Sequence, residues 1–482
     1  MDAPSIRARL AALGLCDPPA TLPAPLPLRT VSPEPWAHQV AISERIATTP
    51  ATYVYGGMGI GKTRCVIDAI CTYDLRRTLV LCPASVVRVW PGQAARYAAV
   101  PLRVLALDRR AGSTATRAKA LAGVLRTEER PVLAIINYEA AWRAELARVL
   151  TGTRWDLVVL DEAHRAKASR GRISAMTSSL REHADRMVAL SGTPMPHSPL
   201  DLWAQYLALD PCVYGASYVR FRARYDQAYD IQKIKQRIFR RPQWRHLDEL
   251  TELAAPITVR VDRDVLDLPP EVDAERHVDL VDERALYDEI EAELVVDVGA
   301  GTVTAGNALT RLLRLQQVSC GHVTDDEHHH VEVGASRRRA LEDTLLDLGD
   351  EPVVVFARFR ADLDAIDVAS CTVHGVGALE LSGRRNQLEE WQQADAAPVL
   401  AVQIQAGGVG VDLTRARYAI YYSIGYSLGD YQQARARVHR PGQTRGVTHV
   451  HLIADGTVDE TIYRAIASKA DVVSAVLEGF VR

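Results

Sequence analysis

The chain has 482 residues, 48% hydrophobic and 24% charged, and its 57 Lys and Arg against 60 Asp and Glu give a formal net charge of −3. That length accommodates two domains of ordinary size plus one insertion, and the near balance of charge excludes a global basic field, so any nucleic-acid affinity must come from a local stripe. No run is long and apolar enough to cross a membrane, and seven Cys without a C-x-x-C pair argue against a disulfide scaffold or a zinc framework and for a reducing, cytoplasmic compartment.

Residues 1–35 form a Pro-rich lead-in, extended from Pro18 to Pro35. Ile6 to Cys16 is too broken by charge for a secretory signal. The first predicted strand is Ala51 to Tyr55, followed by Gly56-Gly-Met-Gly-Ile-Gly61-Lys62-Thr63 and a predicted helix from Lys62 to Tyr73. Side-chain-free positions at Gly56, Gly59 and Gly61 let successive backbone N–H groups converge on a phosphate. Lys62 adds a point charge near the β and γ phosphates, Thr63 a hydroxyl for Mg²⁺, and the helix N-terminus faces the anion. Leu157 to Leu160 is the next diagnostic run, continuously apolar as in a strand buried on both faces, and it delivers Asp161 and Glu162 to the strand's carboxyl end. There Asp161 suits a Mg²⁺ water shell, and Glu162 the orientation or deprotonation of an attacking water.

The basic positions Lys233, Lys235, Arg237, Arg240, Arg241 and Arg245, with Phe239 and Trp244 between them, read first as a solvated helix face and second as a phosphate contact. Cys320-Gly321-His322 with His328 to His330 flanks an exposed hairpin tip at Asp325 to Glu327, a spacing that fits no common zinc pattern. Arg337 to Arg339 opens a helix and is expected at the surface. Pro352 to Phe356, Pro398 to Ile404 and Tyr418 to Tyr422 predict a second doubly wound sheet without a phosphate cradle, in which Tyr418, Tyr421 and Tyr422 pack in the core. A helix beginning near Asp430 would present Arg437 and Arg440, three apart, in one direction. Such guanidiniums stabilise a γ-phosphate transition state when they reach it across a cleft.

Taken together, Met58 to Thr63, Leu81-Cys-Pro-Ala-Ser85 with Trp90, Asn137-Tyr-Glu139, Asp161-Glu-Ala-His-Arg-Ala-Lys167, Leu190-Ser-Gly-Thr-Pro194, Ala406-Gly-Gly-Val-Gly410 and Arg437-Val-His-Arg-Pro-Gly-Gln443 resemble the Swi/Snf-type family of helicase superfamily two, from about Trp36 to about Tyr463. The resemblance implies a P-loop NTPase of two RecA-like doubly wound parallel-sheet lobes with a helical insertion between them. The lobes are expected at 36–198 and 336–482, with a protrusion and linker at 199–335. It implies Mg²⁺-ATP as the cofactor, with Gln39 reading the adenine edge and Gln433 also at the nucleotide. Pro83, Ala84, Ser85, Asn137, Gln405, Gly407 and Gly408 would lie along a DNA phosphate backbone, where small residues admit close backbone approach. The hydroxyl residues usual before Ala-Gly-Gly are replaced here by Gln403-Ile404-Gln405, whose amides still donate. His164, Ser191 and Thr193 would couple the nucleotide to the DNA groove. The implied function is a DNA-dependent ATPase translocating mainly on duplex DNA, in replication, recombination or repair in a bacterial or phage setting and with partner proteins of those processes. Alternatives are a strand-separating or branch-migrating helicase, a restriction-type assembly, and, from another class, an ATP-gated DNA clamp that recruits partners.

Overall fold

The computed structural model describes residues 34–227, 244–293, 295–298, 301–304, 308–325, 327, 329–394, 398–404 and 411–478. The chain forms two compact units, Met1–Val265 with Asp471–Arg482, and Leu266–Ala470.

The first unit is built on β1 (Ala51–Gly56), β2 (Arg77–Cys82), β3 (Arg103–Ala106), β4 (Val132–Asn137), β5 (Leu157–Asp161), β6 (Met187–Ser191) and β7 (Thr258–Val261), in the order β3-β4-β2-β5-β6-β1-β7. Every pairing is parallel. Parallel strands need crossover connections that cover both faces, so their residues are buried on both sides and read as unbroken apolar runs. Leu157–Asp161 and Met187–Ser191 are buried at every position.

The second unit contains β8 (Glu271–Val278), a small hairpin of β9 (Val295–Val298) and β10 (Gly301–Thr304), a second hairpin of β11 (His322–Thr324) and β12 (His330–Glu332), and β13 (Val353–Ala357), β14 (Leu379–Leu381), β15 (Val399–Gln403), β16 (Tyr418–Tyr421) and β17 (Val447–Ala454). Its main sheet is parallel in the order β14-β15-β13-β16-β17-β8. Tyr421 and Tyr422 are fully buried, as core packing requires.

Region 199–335, expected as one insertion between lobes, is divided between the units. The helix Leu202–Leu209 is apolar nearly all round and is buried accordingly. It packs on β1 through Tyr206, whose ring stacks on Tyr53 at 5.0 Å, while the Tyr53 hydroxyl donates to Gln205 Oε1 at 2.7 Å. β7 closes one edge of the first sheet and β8 one edge of the second. Most of the basic stretch, Lys233 to Arg241, and the Pro-rich lead-in before Glu34 lie outside the described residues. No described helix is long and apolar enough to cross a membrane.

Arg337 overturns the expected surface position: it is 1% exposed. Its guanidinium pairs with Asp459, donates through Nε to Ser319 O at 3.0 Å, and lies over the Tyr422 ring. Arg339, two positions on, is exposed and meets Asp282 at 2.7 Å. Removing one member of a buried ion pair strands the other in a poorly hydrated site. Arg337→Met is therefore expected to destabilise the second unit by about 3–5 kcal/mol in urea unfolding.

Candidate nucleotide site

The cradle forms where β1 stops. Gly61 ends the loop at φ 84°, in the left-handed region that favours glycine, and a Cβ there would lie 2.2 Å from Gln39 Nε2. At Gly56 a Cβ would lie 2.1 Å from Ile60 Cδ1, so the loop closes tightly on itself. The helix Lys62–Thr72 starts at once, aligning its first N–H groups with the loop. Lys62 Nζ donates to the carbonyls of Gly56 at 2.8 Å and Gly57 at 3.1 Å, holding its ammonium within the loop. Loss of water lowers its pKa, opposed by the charges of Glu162 and Asp161.

Gln39, on the helix Ala37–Thr48, braces this loop. It is 4% exposed; its Nε2 donates to Ile60 O at 3.0 Å and its Oε1 accepts from Trp36 N at 3.0 Å. His38 Nε2 lies 2.9 Å from the same Ile60 carbonyl. Both ends of the Gln39 amide are thus engaged by protein.

Asp161 closes β5, with β6 between it and the cradle strand. Trp90 Nε1 donates to Asp161 Oδ2 at 3.0 Å, and the Tyr138 hydroxyl donates to its backbone carbonyl at 2.9 Å. Burial and the neighbouring Glu162 charge push the Asp161 carboxyl up to about 6. Glu162 is 3% exposed at φ 50°, a left-handed conformation that a non-glycine residue adopts at a cost of order 1–3 kcal/mol. From Glu162 Oε2 a chain of polar contacts runs to His164 Nδ1 at 3.3 Å, on to Ser191 Oγ at 3.4 Å, and then to the Thr193 N–H at 3.1 Å. Ser191 ends β6 and is the register partner of Tyr55 on β1. The three residues expected to couple are therefore linked, between cradle and acidic pair.

Pro83, Ala84 and Ser85 follow β2 directly, and Asn137 ends β4 as the register partner of Cys82. They occupy the same carboxyl edge as the cradle, and Ala84 and Ser85 are exposed. Asn137 Nδ2 donates to Glu139 Oε2 at 3.0 Å, and Glu139 also accepts from Arg165 at 2.6 Å. Gln405, Gly407 and Gly408 lie outside the described residues.

In the second unit the helix Leu428–Val438 carries half-buried Gln433 and Arg437, which is 4% exposed. Arg440 departs from the expected helical alignment with Arg437. The helix ends at Val438 with His439 as its C-cap, because Pro441 disfavours helical backbone at the residue before it. Arg440 Nη1 donates to Val411 O at 3.0 Å.

Trp90 and Tyr138 stood in the motifs without an assigned role, and His38 lay outside them. The signal was a buried Trp and Tyr, whose N–H and O–H must find partners. Among the described residues, no group of three or more His, Cys, Asp or Glu is arranged to hold a metal ion by protein ligands alone. His322 instead meets Asp362 Oδ1 at 2.8 Å. Thr63, in the first turn of the helix after the cradle, and Asp161, at the end of β5, carry oxygens that could hold a nucleotide-borne cation. Loss of the Lys62 charge is expected to be severe: Lys62→Ala should weaken binding of a fluorescent ATP analogue by about 2–5 kcal/mol.

Comparison with known proteins gives a family model described as SNF2-related domain at residues 54–323 and one described as helicase conserved C-terminal domain at residues 336–442. "Putative protein p41" of Acyrthosiphon pisum secondary endosymbiont phage 1 is 25% identical, over 94% of this chain and 100% of that protein. The human "DNA annealing helicase and endonuclease ZRANB3" is 26% identical over 69% of this chain, which spans only 31% of the human protein. A solved structure, the Sulfolobus solfataricus SWI2/SNF2 ATPase core in complex with dsDNA, is 21% identical with a TM-score of 0.42, covering 93% of each chain.

Proposed function

The chain belongs to the SNF2-related domain family and is an ATP hydrolase of the helicase type, and from that premise we propose that it is a DNA-dependent ATPase that moves along duplex DNA. The observation that carries this reading is one sheet edge bearing the phosphate cradle, the acidic pair, the Glu162-His164-Ser191-Thr193 relay and exposed Ala84 and Ser85. DNA as the track is further supported by the human relative, which is named a DNA annealing helicase and endonuclease.

Bound Mg²⁺-ATP supplies the phosphoanhydride and a cation that neutralises its charge. Lys62 exchanges its two loop carbonyls for phosphate oxygens, and Thr63 and Asp161 hold the cation, with Trp90 fixing the Asp161 carboxylate. Gln39 exchanges one of its present bonds to read the adenine edge, and Gln433 serves as a further nucleotide-binding residue. Glu162 orients the attacking water and takes its proton. Arg437 and Arg440 stabilise the charge that develops on the γ-phosphoryl group. His164, Ser191 and Thr193 pass the change at Glu162 along the edge, where Pro83, Ala84, Ser85 and Asn137 grip one strand's phosphates through backbone and amide donors; Gln405, Gly407 and Gly408 are the further DNA-contacting residues of the proposal. Alternating grips would then convert hydrolysis into movement, in replication, recombination or repair inside a bacterial or phage-infected cell.

The test is steady-state ATP hydrolysis with no nucleic acid, single-stranded DNA, duplex, forked DNA and RNA. Strongest stimulation by duplex supports translocation; preference for forks or single strands replaces it with strand separation; no stimulation by any of them removes the DNA-dependent reading. Because the grips are on phosphates, duplex affinity should also fall linearly with salt on a log–log plot.

A further inference from the structure

A group of titratable side chains outside the nucleotide site lies where β8 and β17 run side by side, with His449 and His451 buried and Glu271 and Asp273 towards the surface. The register pairs Glu271 with Val447 and Asp273 with His449, so Glu271, Asp273, His449 and His451 share one face of the sheet. His449 Nε2 is 3.2 Å from Glu271 Oε2, and His451 Nε2 is 3.0 Å from Asp273 Oδ1. Among them sits the guanidinium of Arg435, from the helix Leu428–Val438. It pairs with Glu271 at 3.1 Å, pairs with Asp273, and donates to the Tyr431 hydroxyl at 3.0 Å. His439, the C-cap of that helix, adds Nδ1 at 3.3 Å from Glu271 Oε2 and Nε2 at 2.6 Å from Pro269 O. The His451 hydrogen bond and the Arg435 charge hold the Asp273 carboxyl well below the usual carboxylate range.

Isolated surface ion pairs contribute little. Here one forked cation, its side chain 16% exposed, joins two carboxylates that are 30% and 52% exposed, and the partners come from a different element. Such a device fixes a direction. Arg435 and Tyr431 are one helical turn apart and face the sheet; Arg437, two residues on, projects about 200° further round the helix. Whatever sets the roll of the sheet-facing side sets the aim of the opposite side. Arg440 follows His439 immediately, and His439 is held by the same Glu271.

We propose that Arg435 is a positioning residue: its forked hold on Glu271 and Asp273 fixes the roll of the Leu428–Val438 helix and so the aim of Arg437 and Arg440 in ATP hydrolysis. This rests on the function proposed above for those two arginines. Lysine, a single point charge, cannot span both carboxylates with the same geometry.

The test compares wild type with Arg435→Met, Arg435→Lys and the double variant Glu271→Gln/Asp273→Asn. Four readouts are taken: duplex-stimulated turnover, Kd for a fluorescent ATP analogue, thermal midpoint, and hydrogen exchange of the 428–440 amides. Misaim should lower kcat by about a hundredfold in Arg435→Met and in the double variant, weaken the Kd by much less, through Gln433 on the same helix, and speed exchange across the helix. Arg435→Lys should recover part of kcat. A kcat within about twofold of wild type, or a loss that matches the unfolded fraction, overturns the proposal by showing a role in folding alone. If Arg435→Met does not fold, Arg435→Lys carries the test: a kcat reduced by much more than the Kd is weakened supports the proposal and full kcat overturns it. A wild-type chain with no turnover defeats the function proposed above, and exchange then decides the hold of Arg435 on its helix, faster exchange in Arg435→Met supporting it and unchanged exchange overturning it.

Discussion

Glu162→Gln should bind ATP and DNA as tightly as the wild type and turn over about 10²–10⁴-fold more slowly. The size follows from what the substitution changes. Gln keeps the shape and length of the side chain and permits the same left-handed backbone at φ 50°, so the strained junction between β5 and the following turn survives. It removes the basic oxygen that would accept the water's proton. It also removes the negative charge that helps raise the Asp161 carboxyl, leaving Asp161 easier to ionise, so cation and nucleotide binding has no reason to weaken. ATP and DNA should then remain bound together, seen as a long-lived complex in single-turnover experiments. Near-normal turnover would move the catalytic base away from Glu162.

Arg440→Ala is expected to retain ATP binding and lose about 10³–10⁵ in kcat, the usual contribution of a transition-state arginine. Only the interaction made with developing charge is lost, so the effect falls on kcat rather than on affinity. The local cost should be small, since the side chain makes a single described hydrogen bond, to Val411 O. Arg440→Lys should not restore the rate if forked geometry is what matters. Wild-type turnover in Arg440→Ala would remove this residue from the reaction.

Much of this site was legible in the sequence because its signals are local. The run Leu157–Leu160 can be buried on both faces only in a parallel sheet, and such a strand presents its next residues at the ligand-binding edge. The Gly spacing before Lys62 matched a loop in which a Cβ at Gly56 or Gly61 would collide. What escaped depended on distant partners. The helix Leu202–Leu209 is plainly helical and apolar, yet periodicity does not say which sheet it covers, so its packing on β1 was missed. Arg337 stands in a run of three arginines that reads as solvated; its burial is set by Asp459, well over a hundred positions later in the chain. The acids that hold Arg435 lie on β8, just after the chain enters the second unit, and no local pattern ties them to a helix near the other end of that unit. The departure of Arg440 from the helical alignment with Arg437 is legible in Pro441, which disfavours helical backbone at the residue before it.

Movement along DNA is tested most directly by the ATP hydrolysis rate at saturating ends over duplexes of increasing length. A motor spends longer on a longer track before it dissociates, so the rate should rise with length and level off once the duplex exceeds the mean distance travelled. A rate independent of length, with ATP-dependent retention on DNA and little turnover, would mean a clamp and would contradict translocation.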